Sequence, residues 1–434
     1  MKKNIAWSVQ LSQNNRAVVV FMIACCVGYA LFKTSYRWVG DIFQTLVILG
    51  TLVSIYINRR KATKEPLVWL MVLAVITPFF SWFNALFEHP SIVSSTPDLG
   101  AIFNFYFFLF VAYWIRHDKV YINSFMIAFC LGVLLTMYSY APDMVNEITR
   151  GLNGQRVDFS YVNANHPAAL LGAAVIVAIS FWVKQQNSSA FFGATRTSIN
   201  IMLILFTTIS LMMLVFTQSR QSWLALVISL GLMAWAYVYR RYAFNPAITL
   251  FIMVVLTGLS AIITAQIPII NDRLMDEKDV VLALLSLDLD NIPFSSIGIR
   301  VHLWSESFAW IKENPLLGLG QNGRALVISS SEVMPAFVKK DFTHLHNGYI
   351  DTLVNYGIVG LMIFMVSIYS LLKRGMSQSQ TMRCASLTIG FVSFFMVINL
   401  FESFLTFKSG EFIFNSVAAM ILSMIYNDKK EVGL

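Results

Sequence analysis

Charge is what this sequence has least of. Only 12% of its 434 residues are Asp, Glu, Lys or Arg, and 57% are hydrophobic. A soluble domain carries about 25% charged residues, so little of the chain is left for a water-facing globular domain. Cysteine is scarce as well. Cys25, Cys26, Cys130 and Cys384 all fall inside apolar runs and lack disulfide-framework or metal-ligand spacing, so they read as small apolar filler. There is no G-x-x-x-x-G-K-[ST] segment, which argues against cytoplasmic ATP chemistry. No G-x-S-x-G marks a nucleophile turn. Internal repeats and low-complexity segments are missing too. The net charge of +8 does not point to nucleic acid, because the basic residues sit in short loops between apolar runs.

What fills the chain instead is a series of apolar runs of roughly 17–23 residues, the length that crosses a hydrocarbon core. They fall at 17–34, 38–58, 66–87, 99–115, 121–140, 167–184, 198–216, 222–239, 245–266, 348–372, 384–402 and 409–426. The expected fold class is therefore an all-α polytopic membrane protein with about 12 transmembrane helices. Lys2 and Lys3 precede the first run without a small-residue cleavage site after it, so that run reads as a retained helix. If every run crosses, Lys2/Lys3, Arg59-Arg60-Lys61, Arg116/Lys119, Lys184/Arg196, Arg240-Arg241, Lys373-Arg374/Arg383 and Lys429-Lys430 all return to one side. The positive-inside rule makes that side cytoplasmic, with both termini on it. The chain then divides into nine spans (1–266), an external loop (267–347) and three further spans (348–434).

Two polar stretches lie on the external side, 141–166 and the long loop. A structureless loop of the latter length is improbable and usually functional. Within it Val301, Trp304, Phe308 and Ile311 recur at helical spacing. They predict an amphipathic helix against the membrane surface, closed by Asn314-Pro315 and followed by the turn Gly318-Leu319-Gly320.

The orientation rule disfavours external cations, so those that remain need a reason. Arg220 lies in the short turn Thr217-Gln218-Ser219-Arg220-Gln221, Arg300 opens the loop helix, and Arg156 precedes Asn163-Ala164-Asn165-His166. A guanidinium offers a planar fork of donors that matches phosphate oxygens. A headgroup anchor or a loop ion pair explains the same positions. His344-Leu345-His346-Asn347 ends the loop just before a span. An imidazole there has the properties of a general base. Equally, the segment is a helix start with Asn347 as its cap. The H-x-H spacing lacks a Cys or carboxylate cluster to complete a metal site. Asp41, Asn84, Asn104, Asp351, Asn355 and Glu402 are polar residues in or beside apolar runs. They fit either an outward-facing cavity or bundle hydrogen bonds.

Several segments together resemble the O-antigen ligase/polymerase superfamily. They are Arg300-x-x-x-Trp304, Glu313-Asn314-Pro315-Leu316-Leu317-Gly318-Leu319-Gly320, His344-Leu345-His346-Asn347-Gly348-Tyr349 and Tyr356-Gly357-Ile358-Val359-Gly360-Leu361, with Ser219-Arg220 two spans earlier. Their order, spacing and sidedness carry the resemblance over roughly 210–365. Gln221 stands where many relatives have glycine.

The resemblance implies a bacterial inner-membrane glycosyltransferase of the GT-C type. Such an enzyme takes a glycan from undecaprenyl pyrophosphate at the periplasmic face. A ligase passes it to lipid A–core oligosaccharide, with no metal and no nucleotide cofactor. The resemblance also implies that Arg220 and Arg300 bind the lipid pyrophosphate and that His346 is the base, with His344 its neighbour and rival. Asn347 and Arg156 complete the expected substrate-binding set. Membrane lipids are expected partners; nucleic acid is not. The nearest rival reading is O-antigen polymerase, with transfer to protein ranked lower. A transporter or flippase is disfavoured by the late, external long loop and by the lack of a repeat between halves.

Overall fold

The computed structural model describes residues 16–57, 65–90, 93–186, 194–242, 244–264, 266, 271, 275, 278–286, 292–377 and 379–431. Lys2, Lys3 and Arg59-Arg60-Lys61 lie outside the described residues, as do the side chains of Lys184, Arg196, Lys429 and Lys430. Among the described residues the secondary structure is helical throughout, with no strand. A membrane interior leaves backbone polar groups no water to bond, and a helix satisfies them within one segment.

The first ten helices are α1 (Arg16–Phe32), α2 (Arg37–Ile57), α3 (Pro66–Glu88), α4 (Gly100–Ile115, with a 3-10 turn at Asn104–Tyr106), α5 (Lys119–Tyr140), α6 (Met144–Leu152), α7 (Asn165–Gln186), α8 (Ala194–Phe216), α9 (Arg220–Tyr242) and α10 (Pro246–Thr264). The loop region adds α11 (Lys278–Leu285), α12 (Ser296–Glu313), α13 (Gly323–Ser330) and α14 (Ala336–Asp341). The chain closes with α15 (Gly348–Gly375), α16 (Met382–Ile398) and α17 (Lys408–Glu431).

Every expected span falls on one of these helices. Eight of them, α2, α3, α5, α7, α8, α9, α15 and α17, are long and apolar enough to cross a membrane. The remaining four expected spans fall on the shorter apolar helices α1, α4, α10 and α16. Burial sorts the bundle into centre and rim. α17 is 94% buried and α7 83%, whereas α2 and α8 are 22% buried. The rim helices expose Leu52, Val53, Ile201, Met202 and Ile204. Apolar side chains facing outward over whole helices are what a lipid solvent selects.

The loop region has a small core of its own, built from Ile299, Leu303, Val327, Ile328, Val338, Leu345 and Val354. The expected amphipathic stripe is not the line buried in this core. The buried line of α12 is Ile299, Leu303 and Ser307, while Phe308 is 65% exposed. Trp304 and Ile311 are only partly buried against the same core. Both lines have helical spacing, and the sequence pattern alone did not say which one meets protein.

α15 is broken near its start. Gly357 adopts φ 62°, ψ −167°, and the turn segment 315–320 lies against the break. Leu319 N donates to Val354 O (2.8 Å), Gly320 N to Asn355 O (2.8 Å) and Ile358 N to Pro315 O (2.9 Å). The backbones approach so closely that a Cβ on Gly357 would sit 2.2 Å from Leu316 O, and one on Gly318 2.6 Å from Val354 O. Two of the segments behind the family resemblance are thus the two sides of one joint, which roots the loop region in the bundle.

Candidate active site at one end of the bundle

Three chain segments bring the arginines together. In the turn after α8, Gln218 takes a left-handed φ of 50°, costly for a non-glycine residue. Loop 153–157 is stitched onto this turn. Val157 N donates to Phe216 O (3.0 Å), Arg156 Nε to Thr217 O (3.2 Å), and Gln218 Nε2 to Gly154 O (2.8 Å). Arg156 and Arg220 therefore meet, and α12 brings Arg300. The three guanidiniums line one pocket of about 290 Å³ with Asn165, Ser219, Gln221, Ser296 and Phe401. Among the described residues no carboxylate lines it. Asn165, Arg220 and Ser296 are the first residues of α7, α9 and α12, and each helix start adds roughly half a positive charge. Gln221 Nε2 is shut away from solvent with no partner, a further donor beside Arg220. Such an arrangement is chemically suited to an anion.

The histidines lie beside it, held from several sides. Trp304 Nε1 donates to Leu345 O (2.9 Å), so the Arg-x-x-x-Trp helix is tied to the peptide between the two rings. Leu345 N donates to Asp351 Oδ1 (3.0 Å), and Asp351 pairs through Oδ2 with Arg324 (3.3 Å). His346 itself has φ 52°, a second strained backbone position at the site.

Both imidazoles point at one buried carboxylate, Glu402, whose local sequence shows only a polar residue at the end of an apolar run. His344 Nε2 lies 2.9 Å and His346 Nδ1 3.1 Å from Glu402 Oε1. Ser403 N donates to the same oxygen (3.2 Å), and Asn165 Nδ2 donates to Oε2 (2.8 Å). Burial alone would raise the Glu402 pKa. The hydrogen bonds from His344 and His346, with their charge, overcome it and hold the carboxyl well below its usual range. His346 is lowered from its ordinary value, first by burial and then by His344 and Arg300, against the opposing pull of Glu402.

Asn165 completes a continuous path between the two halves. Its Oδ1 accepts from Ser219 Oγ (3.0 Å), which lies 3.1 Å from Ser222 Oγ. A chain of hydrogen bonds thus runs from the Ser-Arg turn through Asn165 and Glu402 to both rings. Asn347 behaves as the cap: Oδ1 accepts from Tyr349 N and Ile350 N, and Nδ2 donates to Leu400 O (3.1 Å). His344, His346 and Glu402 also form the one group of potential metal ligands found among the described residues, their ligand atoms all within 4.8 Å of one another. The carboxylate that the H-x-H spacing lacked in sequence is therefore present in space. The hydrogen bonds of both rings to Oε1 account for the cluster without an ion.

Long apolar helices around a buried core, with a polar cationic site at one end, define a multi-pass helical membrane protein. Residues 204–365 match the profile of a family described as O-antigen ligase. Over that segment the chain is similar to the O-antigen ligase superfamily, whose members are glycosyltransferase-like enzymes. A Haemophilus influenzae protein described as uncharacterized is 25% identical over 269 residues, 59% of this chain. The match spans 63% of that relative's length. The matched segment contains Arg220, Arg300, His344 and His346, and stops short of Glu402.

Proposed function

We propose that this chain is an O-antigen ligase of the bacterial inner membrane. It transfers O-antigen polysaccharide from undecaprenyl pyrophosphate to lipid A–core oligosaccharide, with the site facing the periplasm and both termini in the cytoplasm. All twelve apolar helices cross the membrane in this reading. The observation that carries it is the pocket in which Arg156, Arg220 and Arg300 meet at three helix starts beside the histidine pair. A pyrophosphate is the anion such a pocket suits, and a lipid-borne one reaches it from between the helices.

His346 is the base. With Nδ1–H donated to Glu402, its Nε2 keeps a lone pair, takes the proton of an acceptor hydroxyl and leaves Glu402 to steady the imidazolium. The freed oxygen attacks the anomeric carbon. The bond from that carbon to the pyrophosphate breaks, and its electron pair leaves with undecaprenyl pyrophosphate. Arg220 and Arg300 stabilise the charge growing there, the electrostatic contribution that usually dominates catalysis. One displacement inverts the configuration. Support for His346 over His344 comes from the other ring nitrogens: His344 Nδ1 is shut away from solvent with no partner.

The test is ligation by purified protein with lipid-linked polysaccharide and lipid A–core. Arg220→Ala and His346→Ala are each expected to lose on the order of 10²-fold or more in rate. Undiminished ligation by either well-folded variant overturns its assignment. Deleting the gene separates ligase from polymerase: unsubstituted core with long polymer left on the carrier marks a ligase, and core bearing a single repeat unit marks a polymerase.

A further inference from the structure

A second cavity opens at the same end, between α4, the start of α15 and the start of α17, with a volume of about 190 Å³. Its walls are polar but balanced. Arg324, Lys408, Asp98 and Glu411 all line it. Lys408 Nζ lies 3.0 Å from Glu411 Oε2, and Arg324 is shared between Asp351 and Thr406 Oγ1 (2.6 Å). Two cations therefore stand with two anions, where three arginines and, among the described residues, no carboxylate line the other pocket. Phe105, Tyr356, Phe364 and Phe407 line its apolar side. Gln321 contributes an amide oxygen that is shut away from solvent and has no hydrogen-bond partner, an unfavourable state that a ligand donor would repair.

An uncharged ring with many hydroxyls answers all of this. Its hydroxyls donate to Gln321 Oε1 and the carboxylates and accept from Arg324, and its C–H faces pack on the aromatic rings. A phosphate would meet Asp98 and Glu411, and a lipid tail would leave the charged wall unsatisfied. The cavity also touches the catalytic apparatus. Phe407 lines it and stands edge-on to His344 with ring centroids 4.9 Å apart. Arg324 holds Asp351, which fixes the peptide between the two histidines.

We propose that this cavity seats a neutral sugar ring of the acceptor oligosaccharide, and so sets which acceptor is brought to the base. The inference rests on the transferase reading above, with the arginine pocket already given to the donor. Ligation kinetics with O-polysaccharide-free lipid A–core as the varied acceptor, and undecaprenyl pyrophosphate-linked glycan as the varied donor, test it. Gln321→Ala and Asp98→Asn are each expected to raise the acceptor KM by about 3- to 10-fold, the loss of one hydrogen bond. The donor KM and kcat should stay within twofold. An unchanged acceptor KM in both variants overturns the proposal, and so does a rise confined to the donor KM, which would make the ring a donor sugar. If either variant fails to fold, the other still decides. Wild-type protein that transfers nothing from the pyrophosphate donor instead sinks the transferase reading and this one with it. Normal wild-type transfer with unaltered variants sinks this one alone.

Discussion

Glu402 is the residue on which the site turns, and its role is readable in a pH profile. Neutral His346 is the working form of a base, so activity falls as pH drops through its pKa. Because burial, His344 and Arg300 lower that pKa against Glu402, the acid limb of kcat/KM is expected below the ~6.5 of an unperturbed imidazole. Glu402→Gln removes the group that pulls the pKa upward. Its acid limb should lie lower still, with a plateau rate down roughly 10²-fold. A limb that stays in place while the rate falls would make Glu402 structural. The sequence pointed to the arginines and histidines because cations on the external side and a histidine pair before a span are out of place in a membrane protein. It did not point to Glu402 as a partner. That residue lies 56 positions beyond His346, inside what read as the end of an apolar run, and nothing in local spacing links the two. Asn165, 237 positions away from Glu402, was hidden in the same way.

At the scale of the elements, the joint between segment 315–320 and the break in α15 decides where the loop region sits. Gly357→Ala must place a Cβ 2.2 Å from a carbonyl oxygen in a left-handed conformation. A loss of about 2–4 kcal/mol is expected, read as a lowered thermal midpoint of the detergent-solubilised protein. A midpoint equal to wild type would mean that the joint is not under that constraint. Local pattern gave the helices well, since twenty apolar residues announce themselves. The break did not show, because a glycine inside an apolar run is common in membrane helices. Helix α6, within a stretch noted only as polar, also went unread. Nor did pattern choose between the two apolar lines of α12, one meeting protein and the other facing out.

The whole molecule has two unlike ends. One carries the arginine pocket and the histidines. At the other, Arg240 is bound to Met376 O, Ser377 O and Gln380 O, and Arg374 to buried Glu65. If the site end faces the periplasm, Ser330→Cys should react in intact cells with a membrane-impermeant maleimide, and Ser377→Cys only after permeabilisation. Both positions are exposed, while Cys25, Cys26 and Cys384 are buried and Cys130 partly so, so background labelling should be low. The reverse pattern would invert the orientation drawn from loop charges. The division into 1–266, 267–347 and 348–434 is less informative than this polarity, because the site draws on all three.

The hydrogen-bonded path from Ser222 to the histidines has a consequence for biogenesis. Its members come from four distant stretches, 163–166, 217–222, 344–347 and 399–409, threaded into the bilayer at different moments of synthesis. No nascent portion holds the whole arrangement: Phe401 of the arginine pocket and Glu402 beside the histidines both arrive only after His346. On the proposed function, a half-built chain would therefore be inert and would not squander scarce carrier lipid by handing its cargo to water.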